Sequence, residues 1–310
     1  SEMCIRDRSF NRSAIGILMT VLTIMFGVIT GLCVRSVGDA APLITVLMYR
    51  FVCSIPLLLL LALAVRGRQF LQVNARRTLM VRIAFGCAAM TLWFTSLRLL
   101  PLGQATALFQ SSVIFVTIFS PLMLGERIGI YRWSAVVTGM IGIVLLTNPF
   151  DGGFSFNVVF GIGGAMAGAA LSILLRRLGK ADNPFSIALW YNGTGGILLT
   201  MLALTVGVPM VVPDQTVMAT LVLLGVVASG LQLCITTAYK FSEAVVVASL
   251  RYMQIPLAAL VAYLALGETV TLSEVAGGIV VIGSCLFIVW REMKKSRSAN
   301  SAPAPADPVT

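Results

Sequence analysis

Histidine is absent from the 310 residues, and charge is scarce: 12 acidic and 22 basic side chains make up 11% of the chain. Without histidine the commonest general base and metal ligand is missing. No Asp or Glu falls in the middle of a long apolar run, so a proton relay built on buried carboxylates is not in view. The six cysteines (Cys4, Cys33, Cys53, Cys87, Cys234 and Cys285) stand singly, with none of the close pairs of disulfide frameworks or zinc sites. They read as small buried apolar residues. A Gly-x-x-x-x-Gly-Lys-Ser/Thr phosphate loop is also missing, which speaks against transport driven by ATP hydrolysis. An intramembrane protease or acyltransferase needs a nucleophile with its base, paired carboxylates or a metal. None of these is present, so no enzyme, cofactor or metal is expected.

Hydrophobic residues dominate instead, at 58%, and fall in runs near the length of about 20 residues that crosses a hydrocarbon core as a helix. Five runs, Ala14–Val34, Leu43–Val65, Leu79–Leu97, Leu102–Leu124 and a shorter Trp133–Thr147, lie in the first half. Val158–Leu175, Phe185–Val206, Val217–Tyr239, Ala244–Leu266 and Val275–Trp290 follow in the second. Ala14–Val34 is too long for a signal-peptide core and is taken as a spanning helix. Turn-forming clusters at Gly38–Pro42, Asn148–Gly153 and Ala181–Pro184 separate runs. The fold class expected is therefore an all-α membrane protein of ten transmembrane helices. Residues 1–13 form a short polar segment, and residues 293–310, rich in Ser, Ala and Pro, a disordered tail.

The formal charge of +10 raises the question of nucleic acid. Threading the ten runs through a bilayer answers it. Most of the 22 basic residues fall on the side of the N-terminus, and the opposite loops hold only Arg35 and Arg98. That bias places both termini in the cytoplasm and makes the charge a topology signal, with no nucleic-acid partner. Arg50, Arg82 and Arg251 lie within apolar runs.

The two halves echo one another. Thr95–Glu126 slides onto Thr237–Glu268 at an offset of 142 without a gap, so that Arg98 meets Lys240 and the Leu-Gly-Glu triplets at Glu126 and Glu268 coincide. Upstream, Pro42 lies over Pro184 and Tyr49-Arg50 over Tyr191-Asn192. An internal duplication of this length, residues 14–150 and 151–292, makes five helices the structural unit. Five is odd, so the second copy enters from the opposite side. The result is two inverted five-helix repeats, the plan of secondary transporters, whose site lies near the midplane between the halves.

Leu124-Gly125-Glu126-Arg127, Arg132-Trp133-Ser134-Ala135, the Gly139/Gly142 pair and Pro149, matched later by Arg176-Arg177-Leu178 and Leu266-Gly267-Glu268, resemble the EamA-type repeats of the drug/metabolite transporter superfamily. The likeness covers about residues 14–292, departing in the last helix, where Gly139 and Gly142 align with Val281 and Ser284. The resemblance implies a carrier in a bacterial inner membrane that works by alternating access. Its substrates would be small organic metabolites, amino-acid-like or otherwise anionic or amphipathic. Export is the first expectation and uptake the alternative. A scaffold or sensor that transports nothing is the reading of another class. Coupling to an ion or counter-substrate stays open, and a duplicated chain can suffice as a monomer or pair as a homodimer.

Arg251 is the sharpest candidate for substrate contact. It lies about 11 Å inside its run at 1.5 Å per residue, where an ionisable group costs about 2.5–3.5 kcal/mol on insertion scales. Its planar guanidinium suits a carboxylate or phosphate; the alternative is a bond to interhelical carbonyls. Tyr252 and Gln254 extend the polar patch. Arg50 with Tyr49, their repeat counterparts Tyr191 and Asn192, Gln110 opposite Tyr252 in the repeat, and more weakly Trp93 and Gln232 are the other residues expected to line one cavity. Glu126 and Glu268 are candidates for coupling, although a helix-end carboxylate also serves as a cap. Gly27-x-x-x-Gly31 and Gly164-x-x-x-Gly168 let helices approach closely.

Overall fold

The computed structural model describes residues 2–124, 130–147, 155–207, 214–241, 247 and 250–300. Among these every regular element is helical: α1 (Glu2–Val37), α2 (Leu43–Val52), α3 (Ile55–Arg66), α4 (Arg76–Leu99), α5 (Leu102–Gln110), α6 (Ser112–Leu124), α7 (Ile130–Thr147), α8 (Val158–Ala181), α9 (Pro184–Thr205), α10 (Gln215–Phe241), α11 (Gln254–Leu266) and α12 (Leu272–Asn300). Short 3₁₀ turns at Gly38–Ala40 and Gly67–Gln69 follow α1 and α3. Seven stretches are long and apolar enough to cross a membrane, two of them the joined pairs α2–α3 and α5–α6. Trp133–Leu146, Gln254–Leu266 and Leu272–Phe287 are shorter apolar helices. Together they are the ten spans of two inverted five-helix repeats.

Two spans expected to be continuous are broken. Leu43–Val65 interrupts at Cys53–Ser54, because Pro56 has no N–H to give to the Val52 carbonyl and its ring crowds the preceding turn. Leu102–Leu124 interrupts at Ser111, whose N–H is shared between the Ala107 and Leu108 carbonyls and whose hydroxyl donates to Leu108 O at 2.6 Å. A third break, at Tyr252–Met253, precedes α11; the Tyr252 carbonyl that Pro256 cannot serve accepts from Ile255 N–H instead, at 3.1 Å. Ser111 and Met253 are 142 positions apart, so this break occurs at matching places in both repeats. At the C-terminus α12 continues to Asn300, through Arg291–Asn300, which contains no proline to stop it; the rest of the expected tail lies outside the described residues.

The pseudo-twofold arrangement is visible in the packing. α1 lies on α10 while its repeat counterpart α8 lies on α4, the counterpart of α10. α2 packs on α9 and α7 on α12, each against its own copy, and α5 lies on α11, the counterpart of α6. Arg50 touches Asn192, its equivalent in the other repeat. Side chains on the outer surface, such as Leu60, Met80, Met201, Leu264 and Ile279, are exposed and apolar, as suits contact with hydrocarbon. Thr20, Thr95, Thr106, Thr200 and Ser229 return their hydroxyls to the carbonyl four residues back, leaving no donor for lipid to satisfy.

With lipid as apolar as the core, helices are held by close packing. A Cβ on Gly27 would sit 2.5 Å from Gln254 Nε2, and one on Gly164 3.3 Å from the Trp93 nitrogen. These small-residue stripes are packing surfaces. The departure noted in the last helix is the other side of such a surface. A Cβ on Gly139 would meet Ser284 Oγ at 2.7 Å, and one on Gly142 the Val281 nitrogen at 2.9 Å. Where the first repeat has glycine the second has the side chains that fill the space.

Candidate functional site

The candidate residues fall into two clusters where the sequence suggested one ring. The first forms at the paired breaks of α5–α6 and the segment before α11. Gln110, the last residue of α5, donates through Nε2 to the Arg251 carbonyl at 2.7 Å. Its Oε1 accepts from Arg251 Nη2 at 3.1 Å, and Gln254 Oε1 lies 3.5 Å from its Nε2. One glutamine thus meets both the backbone and the side chain of Arg251 across the repeat interface. Arg251 is half-buried, and its Nε has no hydrogen-bond partner. Tyr252 is buried beside it. Trp93 approaches this cluster through Phe109, with ring centroids 4.9 Å apart and nearly parallel, and its indole N–H has no partner. Gln232 is also buried, with an unpartnered amide nitrogen.

The second cluster lies where α2, α4 and α9 meet. Arg50 Nη1 donates to Asn192 Oδ1 at 3.3 Å, and that oxygen also accepts from Ser54 Oγ at 3.1 Å. Asn192 Nδ2 in turn donates to Ala188 O at 2.8 Å, which fixes the amide's orientation. The Arg50 guanidinium stands 4.2 Å from the Phe51 ring and 5.6 Å from the Tyr191 ring. Tyr191 is buried and its hydroxyl donates to Gly86 O at 3.1 Å. Tyr49, half-buried, packs at the edge of the core. Arg82 also belongs here, 4.0 Å from the Tyr191 ring centroid. Sequence reasoning placed Arg82 inside an apolar run yet left it out of the site; its depth in α4 was the signal.

Glu268 belongs to neither cluster. One of its oxygens accepts from Arg35 Nε at 2.8 Å and the other from the Leu102 backbone N–H at 2.8 Å. Arg35 also donates to the Arg98 carbonyl at 2.8 Å. The carboxylate therefore caps α5 and ties it to α1 at one end of the bundle. Glu126 lies outside the described residues. At the other end of the bundle Asp182 accepts from the backbone N–H groups of Asn74 and Ala75, and Arg66 donates to Ser186.

Helices broken at matching points of two inverted repeats, with polar side chains gathered at the break and an apolar exterior, define a multi-pass membrane protein of the carrier class. A family model described as "EamA-like transporter family" matches residues 14–148 and again residues 155–290. The chain belongs to that family. It is 27% identical over 265 residues to the riboflavin transporter of Vibrio cholerae, across 84% of this chain and 88% of that one. To the S-adenosylmethionine uptake transporter of Rickettsia prowazekii it is 27% identical, across 69% and 71%. The pseudopaline exporter CntI of Pseudomonas aeruginosa is 26% identical over 281 residues, across 88% and 95%. A solved crystal structure at 16% identity matches 94% of this chain and 99% of its own with a TM-score of 0.66, a likeness of fold.

Proposed function

We propose that this transporter carries small organic metabolites by alternating access and holds an acidic group of the solute at Arg251. The observation that supports this reading most directly is the half-buried guanidinium at the paired helix breaks, one Nη on Gln110 and its Nε free. A planar fork with donors to spare suits a carboxylate or phosphate. Gln110 and Gln254 present amides beside it, for the polar remainder of the solute. The direction proposed is export, with uptake as the second reading; one relative is named for export and another for uptake. The chain is proposed to lie in a bacterial inner membrane with both termini cytoplasmic, a reading supported by the distribution of basic residues. Catalysis forms no part of the proposed function.

The test is a thermal-shift panel on the purified, detergent-solubilised protein with amino acids, nucleotides, carboxylates and cationic drugs. Ligands that bind only the folded state raise its melting temperature. Carboxylates or phosphates are expected to act, and Arg251→Ala to stay folded and weaken the response. A response confined to cations, or unchanged by the substitution, makes Arg251 structural. Transport in right-side-out and inside-out vesicles then reads the direction.

A further inference from the structure

Arg50 and Arg82 are each only 1% exposed, and both guanidinium groups lie over the same ring, that of Tyr191. Like charges converge there with little to compensate them. The one ion pair among the described residues is Arg35–Glu268 at the end of the bundle, so neither arginine is paired with a carboxylate among those residues. Arg50 gives one N–H to Asn192, and its Nε has no partner. Arg82 has neither Nε nor Nη1 satisfied. The Tyr191 hydroxyl donates to Gly86 O; its oxygen can still accept an N–H, but it is a neutral acceptor and brings no negative charge.

Aromatic faces attract guanidinium groups, but a ring leaves N–H donors without acceptors, and unmet buried donors are costly. A buried charge without a partner is costlier still. In a membrane span such a group marks a ligand pathway by default. What the cluster lacks is a compact acceptor carrying negative charge and several oxygens.

We infer that Arg50 and Arg82 form an oxyanion site between α2, α4 and α9, separate from the Arg251 cluster, which takes a carboxylate or phosphate group between the two forks. Tyr191 is the platform that holds both guanidinium groups, and Asn192 sets the orientation of Arg50. The site does not depend on the role proposed for Arg251.

The experiment titrates inorganic phosphate, and separately succinate, into the purified full-length protein and follows binding by calorimetry and melting temperature. Arg82→Gln and Arg50→Gln are each expected to weaken binding of the effective probe by at least about thirtyfold, the loss that follows when one partner of a buried charge pair is removed. Since each substitution removes an uncompensated charge, the unliganded variants should melt no lower than the parent. Arg251→Ala should remove only the binding phase that belongs to Arg251 and leave the phase that Arg82→Gln and Arg50→Gln weaken, which separates this site from the other. Two variants guard against misfolding of one, with monodispersity on size exclusion as the check. Parent-like affinity in both Gln variants overturns the inference, as does a parent protein that binds neither probe. Loss of binding in Arg251→Ala with retention in Arg82→Gln overturns it too. Vesicles loaded with radiolabelled phosphate then tell the source apart. Release of label through the parent protein makes the inorganic anion itself the cargo; binding without release assigns the site to the acidic group of a larger solute.

Discussion

Replacing Glu268 with Gln separates two roles that one carboxylate could fill. Its oxygens hold Arg35 Nε and the Leu102 N–H, each at 2.8 Å, while the two charged side chains remain 28% and 15% exposed. A half-exposed ion pair contributes up to about 1 kcal/mol, and a carboxylate at a helix N-terminus about 0.3–1 kcal/mol. Glutamine keeps the shape but offers one acceptor where two donors converge. The loss should come to about 1–2 kcal/mol, a fall in melting temperature of about 2–6 °C for a chain of this size. Raising the salt should narrow the difference, because the screening length shrinks from about 10 Å at 0.1 M to about 3 Å at 1 M. Transport per folded molecule in vesicles should be retained. An unchanged melting temperature together with abolished transport would refute this reasoning and make Glu268 a coupling residue.

Gly277 and Gly278 are neighbours with opposite tolerance: a Cβ on the first would run into the Leu146 backbone, and one on the second meets nothing within 4 Å. Gly277→Ala should cost about 1–3 kcal/mol and Gly278→Ala less than about 0.5 kcal/mol, as read by melting and by monodisperse yield in detergent. Asn192→Ala removes the acceptor shared by Arg50 and Ser54; a hydrogen bond to a charged group is worth about 1.5–3 kcal/mol, and a melting temperature equal to the parent's would show that Arg50 finds another acceptor.

The ten spans and their inverted pairing were legible because apolar runs and a gapless offset of 142 are both one-dimensional signals. The breaks were harder to see. Pro56 and Pro256 sit inside runs read as continuous spans, and Ser111 bends its helix through local hydrogen bonds that no periodicity reports. The candidate residues are polar side chains in an apolar chain, but whether they make one ring or two depends on which helices cross. Arg50, Tyr191 and Asn192 cluster with Arg82, while Gln110 and Gln254 cluster with Arg251. Arg82 lies within an apolar run like Arg50 and Arg251, but only the crossing of α4 with α9 brings it over the Tyr191 ring.

The crossed contact between α7 and α12 bears on the history of the chain. Gly139 faces Ser284 and Gly142 faces Val281, yet by the offset of 142 it is Gly139 that corresponds to Val281 and Gly142 to Ser284. In a symmetric pair of identical halves, residue i meets j and j meets i. Two first halves would therefore set glycine against glycine and leave a gap, and two second halves would set Val281 against Ser284 and collide. At this contact each half is shaped to the other, and a pair of identical halves would not reproduce it.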